Sequence, residues 1–356
     1  MYTDFPDWKK MLILQERSIK DAIQMIESNF IKMLIVVNDQ AQLVGTLTDG
    51  DIRRGLINNI KIDSTISLVM CDKPHCLRSD EELTTSDSKN LDKNRNIIHI
   101  PVVNKNLEVV GLKIIKKETK KNVLNNPVFV MAGGFGTRLL PLTNVLPKPL
   151  IKIGNKAILE HIIENLTFLG FQRFFLSVHY KSELIKDYFG DGSKWGITIR
   201  YIEEESPLGT AGALSLLPKQ DIDQPVLMMN GDLFTKADFN NLIKIHSENN
   251  NYITVCVRDH EVQIPFGVIE SDGEKIVDIK EKPTYQHLIN AGIYVLNPEV
   301  LDTLQNNQYL DMPTLIKQVI QKKKKIGIYP ILEYWRDIGA FNELQTTRMD
   351  QENNKI

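Results

Sequence analysis

The sequence has no apolar run approaching the roughly 18 residues that a membrane-spanning helix needs, so no transmembrane helix is expected in its 356 residues. Its first stretch, Met1 to Gln15, carries Asp4, Asp7, Lys9 and Lys10 and has no signal-peptide core. Cysteine is scarce. Cys71, Cys76 and Cys256 lack zinc spacing and do not form a disulfide framework; reduced thiols in a cytoplasmic protein are the expectation. Excess charge of one sign is also missing. Forty-three Lys and Arg against 45 Asp and Glu leave a net charge of −2, so no global field favours nucleic acid or an anionic membrane. Any phosphate binding must come from locally placed cations and backbone N–H groups.

What is present is an ordinary globular composition, 42% hydrophobic and 25% charged, in a chain long enough for two domains. The polar run Lys-Lys-Glu-Thr-Lys-Lys at 116–121, followed by Asn125-Asn126-Pro127, separates two differently patterned regions. The expected division is 1–124 and 126–356. The first region repeats itself: Val36-Val37-Asn38 returns as Val102-Val103-Asn104 and Val44-Gly45 as Val110-Gly111, both at an offset of 66 residues. Each copy reads as strand, polar turn, strand. In the first copy Ile19, Ile23, Ile26 and Phe30 precede the hairpin at helical spacing. The predicted unit is helix, strand, turn, strand, helix, used twice, with the copies packing to bury what neither covers alone.

The second region alternates strands and helices. Val128–Met131, Phe174–Val178 and Val226–Met229 read as buried strands, and Ala157–Leu169 and Ser182–Phe189 as helices, the first stopped by Gly170. Such alternation predicts an α/β fold with a Rossmann-like, mostly parallel sheet covered on both faces. Ligands then bind at the carboxyl ends of the strands.

The first of these strands runs into Gly133-Gly134-Phe135-Gly136-Thr137-Arg138-Leu139. A dinucleotide fingerprint would need Gly or Ala where Leu139 stands, and a P-loop would need Gly-Lys-Ser/Thr, which is absent. What remains is a turn rich in exposed N–H groups, able to form an anion nest, with one cation at its end. Ten residues on, Pro147-Lys148-Pro149 holds a lysine on an extended, restricted backbone. Arg138 and Lys148 together suit a polyphosphate. Asp232 follows an apolar strand, where a carboxylate can meet Mg²⁺, a hard cation that prefers oxygen ligands.

The loop, together with Pro-Lys-Pro-Leu at 147–150, resembles the signature of the sugar-phosphate nucleotidyltransferases. Further segments fit in the family's order. They are Ser206-Pro207-Leu208-Gly209-Thr210-Ala211-Gly212-Ala213, Asn230-Gly231-Asp232, Glu281-Lys282-Pro283, Asn290-Ala291-Gly292 and Trp335-Arg336-Asp337-Ile338-Gly339. The resemblance implies transfer of a nucleoside monophosphate from an NTP to a sugar 1-phosphate. It implies triphosphate contacts at Gly133, Gly134, Gly136, Thr137 and Arg138, base-side contacts at Glu205, Gly209 and Thr210, and Arg138, Lys148 and Asp232 as the catalytic set. Mg²⁺ would lie on Asp232 and Asp337, and the sugar phosphate on Gly267, Glu281, Lys282 and Asn290. Retention of all the charged positions favours an enzyme over a non-catalytic regulator that keeps the fold. No hexapeptide repeats follow residue 340, which argues against a C-terminal acyltransferase.

Gly45 to Arg53 resembles the end of a cystathionine β-synthase (CBS) motif, whose paired form binds adenosine nucleotides, and Thr48-x-x-Asp51 matches its ribose-binding spacing. In the second copy Ile114 and Lys117 stand at those positions, and neither can accept hydrogen bonds from ribose hydroxyls. The front region is therefore expected to be a smaller α/β tandem CBS domain, serving regulation or homo-oligomer formation. A tandem CBS module joined to this loop most resembles glucosamine-1-phosphate guanylyltransferases of legionaminic acid pathways, which implies GTP and glucosamine 1-phosphate. UTP, CTP or dTTP with another sugar phosphate stays open.

Overall fold

The computed structural model describes residues 2–29, 31–81, 97–116 and 123–353. The chain forms two compact units, Met1–Asn122 and Val123–Ile356.

In the front unit the sequence repeat is a structural repeat. Met33–Val37 pairs antiparallel with Leu43–Thr48, and Ile97–Val103 with Val109–Lys116, each with a register shift at the Val-Val step. Both turns use an Asn in the same way. Asn38 Oδ1 accepts from the N–H groups of Gln40 and Gln42 at 3.0 and 2.9 Å, and Asn104 Oδ1 from those of Asn106 and Glu108 at 2.9 and 3.0 Å. Each Asn side chain thus substitutes for backbone within its turn. The two turns then join, Leu43 N–H to Leu107 O at 2.8 Å and Val109 N–H to Ala41 O at 3.1 Å. Beneath them Met33, Ile35 and Val37 share one core with Val103, Val109 and Leu112. Ile19–Ser28 is a helix capped by a Ser18/Asp21 capping box. Phe30, Lys117 and the predicted helices flanking the second hairpin lie outside the described residues.

The second unit is built on a seven-stranded sheet. In chain order its strands are β1 (Val128–Met131), β2 (Arg173–Val178), β3 (Thr198–Glu203), β4 (Val226–Asn230), β5 (Ile253–Gln263), β6 (Thr284–Leu296) and β7 (Ile326–Pro330). Their spatial order is β3-β2-β1-β4-β6-β5-β7. The continuous apolar runs have the reason expected of a sheet covered on both faces. Val128 and Val130 enter one core with Leu176 and Met229, while Phe129 enters the other with Phe175 and Met228. Helix α1 (Ile158–Phe168) covers the first core, and Gly170 follows it at φ 106°.

The sheet is mostly parallel, with one departure: β6 runs antiparallel to both β4 and β5. No crossover helix separates β5 from β6. The intervening chain is a ribbon, Val268–Asp272 with Lys275–Lys280, and a direct return of this kind makes neighbouring strands antiparallel. This ribbon is exposed along its length.

Candidate active site

The carboxyl ends of β1, β2 and β4 place the glycine loop. Parallel register sets Asn230 beside Met131, and the Gly231 N–H donates to Met131 O at 2.8 Å, so Asp232 emerges next to the start of the loop. Gly136 takes φ 64°, and a Cβ there would lie 2.7 Å from Thr143 and 3.1 Å from Lys148. Only glycine allows that turn to close on both residues. The Thr143 hydroxyl donates to Gly136 O at 3.0 Å, completing the wrap. Phe135 leaves the loop edge-on to His179, with ring centroids 5.6 Å apart.

Asp337 reaches Asp232 from about a hundred residues away through a short antiparallel ribbon. Leu233–Thr235 pairs with Trp335–Asp337, Leu233 stands opposite Asp337, and the Ile338 N–H donates to Asp232 O at 3.0 Å. Trp335 Nε1 donates to Ala291 O at 3.0 Å and fixes the ribbon to β6. Arg336 carries the structural ion pairs of this segment, to Glu343 at 2.8 Å and to Asp350 at 3.1 Å on the helix Phe341–Glu352. Asp337 is left to face the centre.

There two carboxylates meet one ammonium. Lys148 is only 8% exposed, and its Nζ donates to Asp232 Oδ2. Asp232 Oδ1 and Asp337 Oδ1 are both buried without a hydrogen-bond partner. Buried polar atoms are rarely left so. Burial, and next the neighbouring Asp232 carboxylate, push the Asp337 carboxyl above its usual range, while Lys148 and Arg138 pull it down. Two orphaned carboxylate oxygens in one place fit a hard divalent cation. Among the described residues no group of three or more His, Cys, Asp or Glu gathers for a metal. A two-carboxylate set suits Mg²⁺, which keeps waters and takes further oxygens from substrate phosphates. Arg138 is exposed at the mouth, with its guanidinium against Gly339: a Cβ on that residue would lie 3.1 Å from it.

The second glycine segment is held by a different carboxylate. Glu204, 7% exposed, accepts from the Ser177 hydroxyl on Oε1 and from the Leu208 N–H on Oε2 at 3.0 Å. Its Oε1 would stand 3.3 Å from a Cβ on Gly133, so this one side chain borders both loops. Gly209 takes φ 74° and would press a Cβ to 2.7 Å from Leu310 O. The Thr210 hydroxyl accepts from Met312 N–H at 2.9 Å.

The predicted residues therefore divide. Gly133, Gly134, Gly136, Thr137, Arg138, Lys148, Asp232 and Asp337 gather at one strand edge, with Gly209 and Thr210 joined to them through Glu204. Glu205 is exposed beside Glu204. The residue at the loops is Glu204, which the sequence reading passed over within the run Glu203-Glu204-Glu205. Asn290 shapes the approach to Gly292, accepting its N–H at 3.0 Å, and Gly292 abuts Asn230. Gly267 and Glu281 face each other at the base of the exposed ribbon, and Glu281 and Lys282 are solvent-exposed. In the front unit Thr48 and Asp51 form a helix capping box. Asp51 Oδ2 accepts from Thr48 N–H at 2.8 Å and from its hydroxyl at 2.6 Å, while Oδ1 accepts from Arg54.

With this geometry in hand, comparison with known proteins decides the family. The profile of the Nucleotidyl transferase family matches residues 128–354. The chain belongs to the nucleotidyl transferase family. A CBS domain profile matches residues 11–58. Among curated relatives, the mannose-1-phosphate guanyltransferase of Debaryomyces hansenii is 33% identical over 225 residues, covering 59% of this chain and 60% of the relative. The mannose-1-phosphate guanylyltransferase catalytic subunit beta of Danio rerio is 33% identical over 228 residues, covering 61% and 62%. The chain thus spans about three fifths of the length of these relatives. The crystal structure of HddC from Yersinia pseudotuberculosis is similar with a TM-score of 0.50 at 24% identity, covering 64% of this chain and 99% of that one; at that identity the likeness shows the shared fold. Among the described residues no helix is long and apolar enough to cross a membrane.

Proposed function

We propose that this chain transfers a nucleoside monophosphate from GTP to a hexose 1-phosphate, releasing pyrophosphate, with Mg²⁺ held by Asp232 and Asp337. The observation that carries this reading is the pair of orphaned carboxylate oxygens beside Lys148, at the foot of an anion-binding glycine loop. An oxygen of the sugar phosphate attacks the α-phosphorus, the bond from that phosphorus to the α–β bridging oxygen breaks, and pyrophosphate leaves. No general base is required, because a phosphate monoester with a second pKa near 6 is mostly dianionic at pH 7. The barrier is repulsion between anions and charge on the leaving group, which cations and fixed N–H dipoles lower. Arg138 and the loop N–H groups hold the triphosphate, and Mg²⁺ on Asp232 and Asp337 would supply further positive charge to it. Glu281 and Lys282 serve the sugar phosphate from the exposed ribbon, and Asn290 and Gly267 border its pocket.

Guanine is supported by Glu204. A carboxylate only accepts hydrogen bonds and offers about four lone-pair directions, two of which Ser177 and Leu208 use. The remaining pair matches the adjacent ring N–H and amino donors of guanine, which uracil and thymine do not present. The names of the curated relatives agree with guanine. They point to mannose 1-phosphate as the acceptor, whereas the resemblance carried by the joined CBS unit and glycine loop implies glucosamine 1-phosphate. Melting curves with Mg²⁺ and each NTP test the base, since a ligand that binds the folded state raises Tm. GTP should give the largest rise, and Glu204→Gln should erase its lead. A larger rise with UTP, CTP or dTTP would overturn guanine. Adenosine nucleotides in the same series test the front unit, where a ribose on Asp51 must displace Arg54.

A further inference from the structure

The assignment of Asp232 and Asp337 as metal ligands leaves one contact unexplained. Lys148 occupies Asp232 already. Its position is built rather than incidental. Pro147 and Pro149 flank it, the short helical turn Lys148–Leu150 begins at it, and Gly136 packs on its Cβ. Three formal charges then share a small, largely buried space: two half-buried carboxylates and one buried ammonium. The ammonium satisfies a single oxygen, Asp232 Oδ2, and leaves Oδ1 of both aspartates bare.

A divalent cation held by the two aspartates would change this balance. It would neutralise both carboxylates, leaving Lys148 a surplus positive charge that Asp232 no longer holds. The compensating anions are the phosphates of the nucleotide, which the adjacent glycine loop receives. We propose that Lys148 is a resident counter-ion that holds Asp232 while the site is empty of substrate and hands it over to the incoming metal, moving to the nucleotide phosphates as it does so. The proposal rests on the metal reading given above. Its consequence is thermodynamic: metal alone binds weakly because it must displace the lysine, whereas metal and triphosphate bind with positive coupling. Coupling of this kind is reciprocal, so Mg²⁺ must tighten the nucleotide by the factor by which the nucleotide tightens Mg²⁺.

The test is Mn²⁺ binding to the full chain, followed by electron paramagnetic resonance and calorimetry, with and without GTP. Wild type should bind Mn²⁺ weakly alone and far more tightly with GTP. Lys148→Met should bind Mn²⁺ alone roughly tenfold or more tightly than wild type, in line with the one to three powers of ten by which a neighbouring cation lowers a carboxylate's proton affinity. Its gain in Mn²⁺ affinity on adding GTP should shrink by a similar factor. Lys148→Arg, which keeps the charge, should behave like wild type. If Lys148→Met binds Mn²⁺ alone no better than wild type, while wild type still binds it with GTP, the hand-over is wrong and the metal ligands stand. If wild type binds no Mn²⁺ even with GTP, the metal assignment itself fails. Should Lys148→Met unfold for want of its buried cation, Mn²⁺ must restore its melting transition more than it raises that of wild type. Failure to do so equally overturns the proposal.

Discussion

Asp337 offers a direct test at the scale of the single residue. Burial and the Asp232 carboxylate raise its folded-state pKa above the ordinary carboxylate value. Between those two values the folded protein holds a proton that the unfolded chain has lost, so stability falls as pH rises through that window. Above it the ionised group is a standing cost. Asp337→Asn should therefore raise the melting temperature of the metal-free protein at pH 7, by roughly 2–4 °C for each kcal/mol relieved, while losing the further rise that Mg²⁺ should give wild type. A lower metal-free melting temperature would mean that Asp337 is held by favourable contacts. On the proposed metal reading, the same sign should make Mg²⁺ binding weaken on acidification at a higher pH than with an ordinary carboxylate. Arg138, Lys148 and Asp232 could be proposed from the sequence because they stand after a glycine loop, in a proline-fixed turn and just past a strand end. Glu204 was not, because three successive glutamates leave the choice to the pleat and to Ser177, a residue on another strand.

At the scale of elements, the strands with continuous apolar runs and α1 lie where periodicity put them, within a residue or two at each end. Two things escaped. The antiparallel course of β6 depends on a connection that lacks a helix, and the long exposed ribbon gives a weak pattern. The meeting of Asp232 with Asp337 depends on the pairing of Leu233–Thr235 with Trp335–Asp337, a non-local contact that no local pattern encodes. The second glycine segment yields the prediction at this scale. At φ 74° and with Leu310 O so close, Gly209→Ala meets both backbone strain and a clash. It should cost about 1–3 kcal/mol of stability and raise KM for the nucleotide more than it lowers kcat, since the segment binds rather than reacts. Chemical denaturation and steady-state kinetics measure both, and an unchanged KM would remove Gly209 from the nucleotide site.

For the molecule as a whole, the sequence conveyed the α/β class and the repeat in the front unit, because both follow from periodicity and internal identity. The joining of the two turns through Leu43, Leu107, Val109 and Ala41 adds what offset alone could not say: the copies share one core and one hydrogen-bonded seam. The identity of the sugar has no such local signature: Glu281 and Lys282, the residues proposed for it, are solvent-exposed just past the ribbon. The measurement that bears most directly on the proposed reaction is pyrophosphate release by the full chain with GTP and Mg²⁺, run against mannose 1-phosphate, glucosamine 1-phosphate and glucose 1-phosphate. Release should require one of these sugar phosphates and should fall roughly 100-fold or more in Asp232→Asn, since metal stabilisation of the transferring phosphoryl group supplies several kcal/mol. No release with any NTP and sugar phosphate, or full turnover in Asp232→Asn, would contradict it.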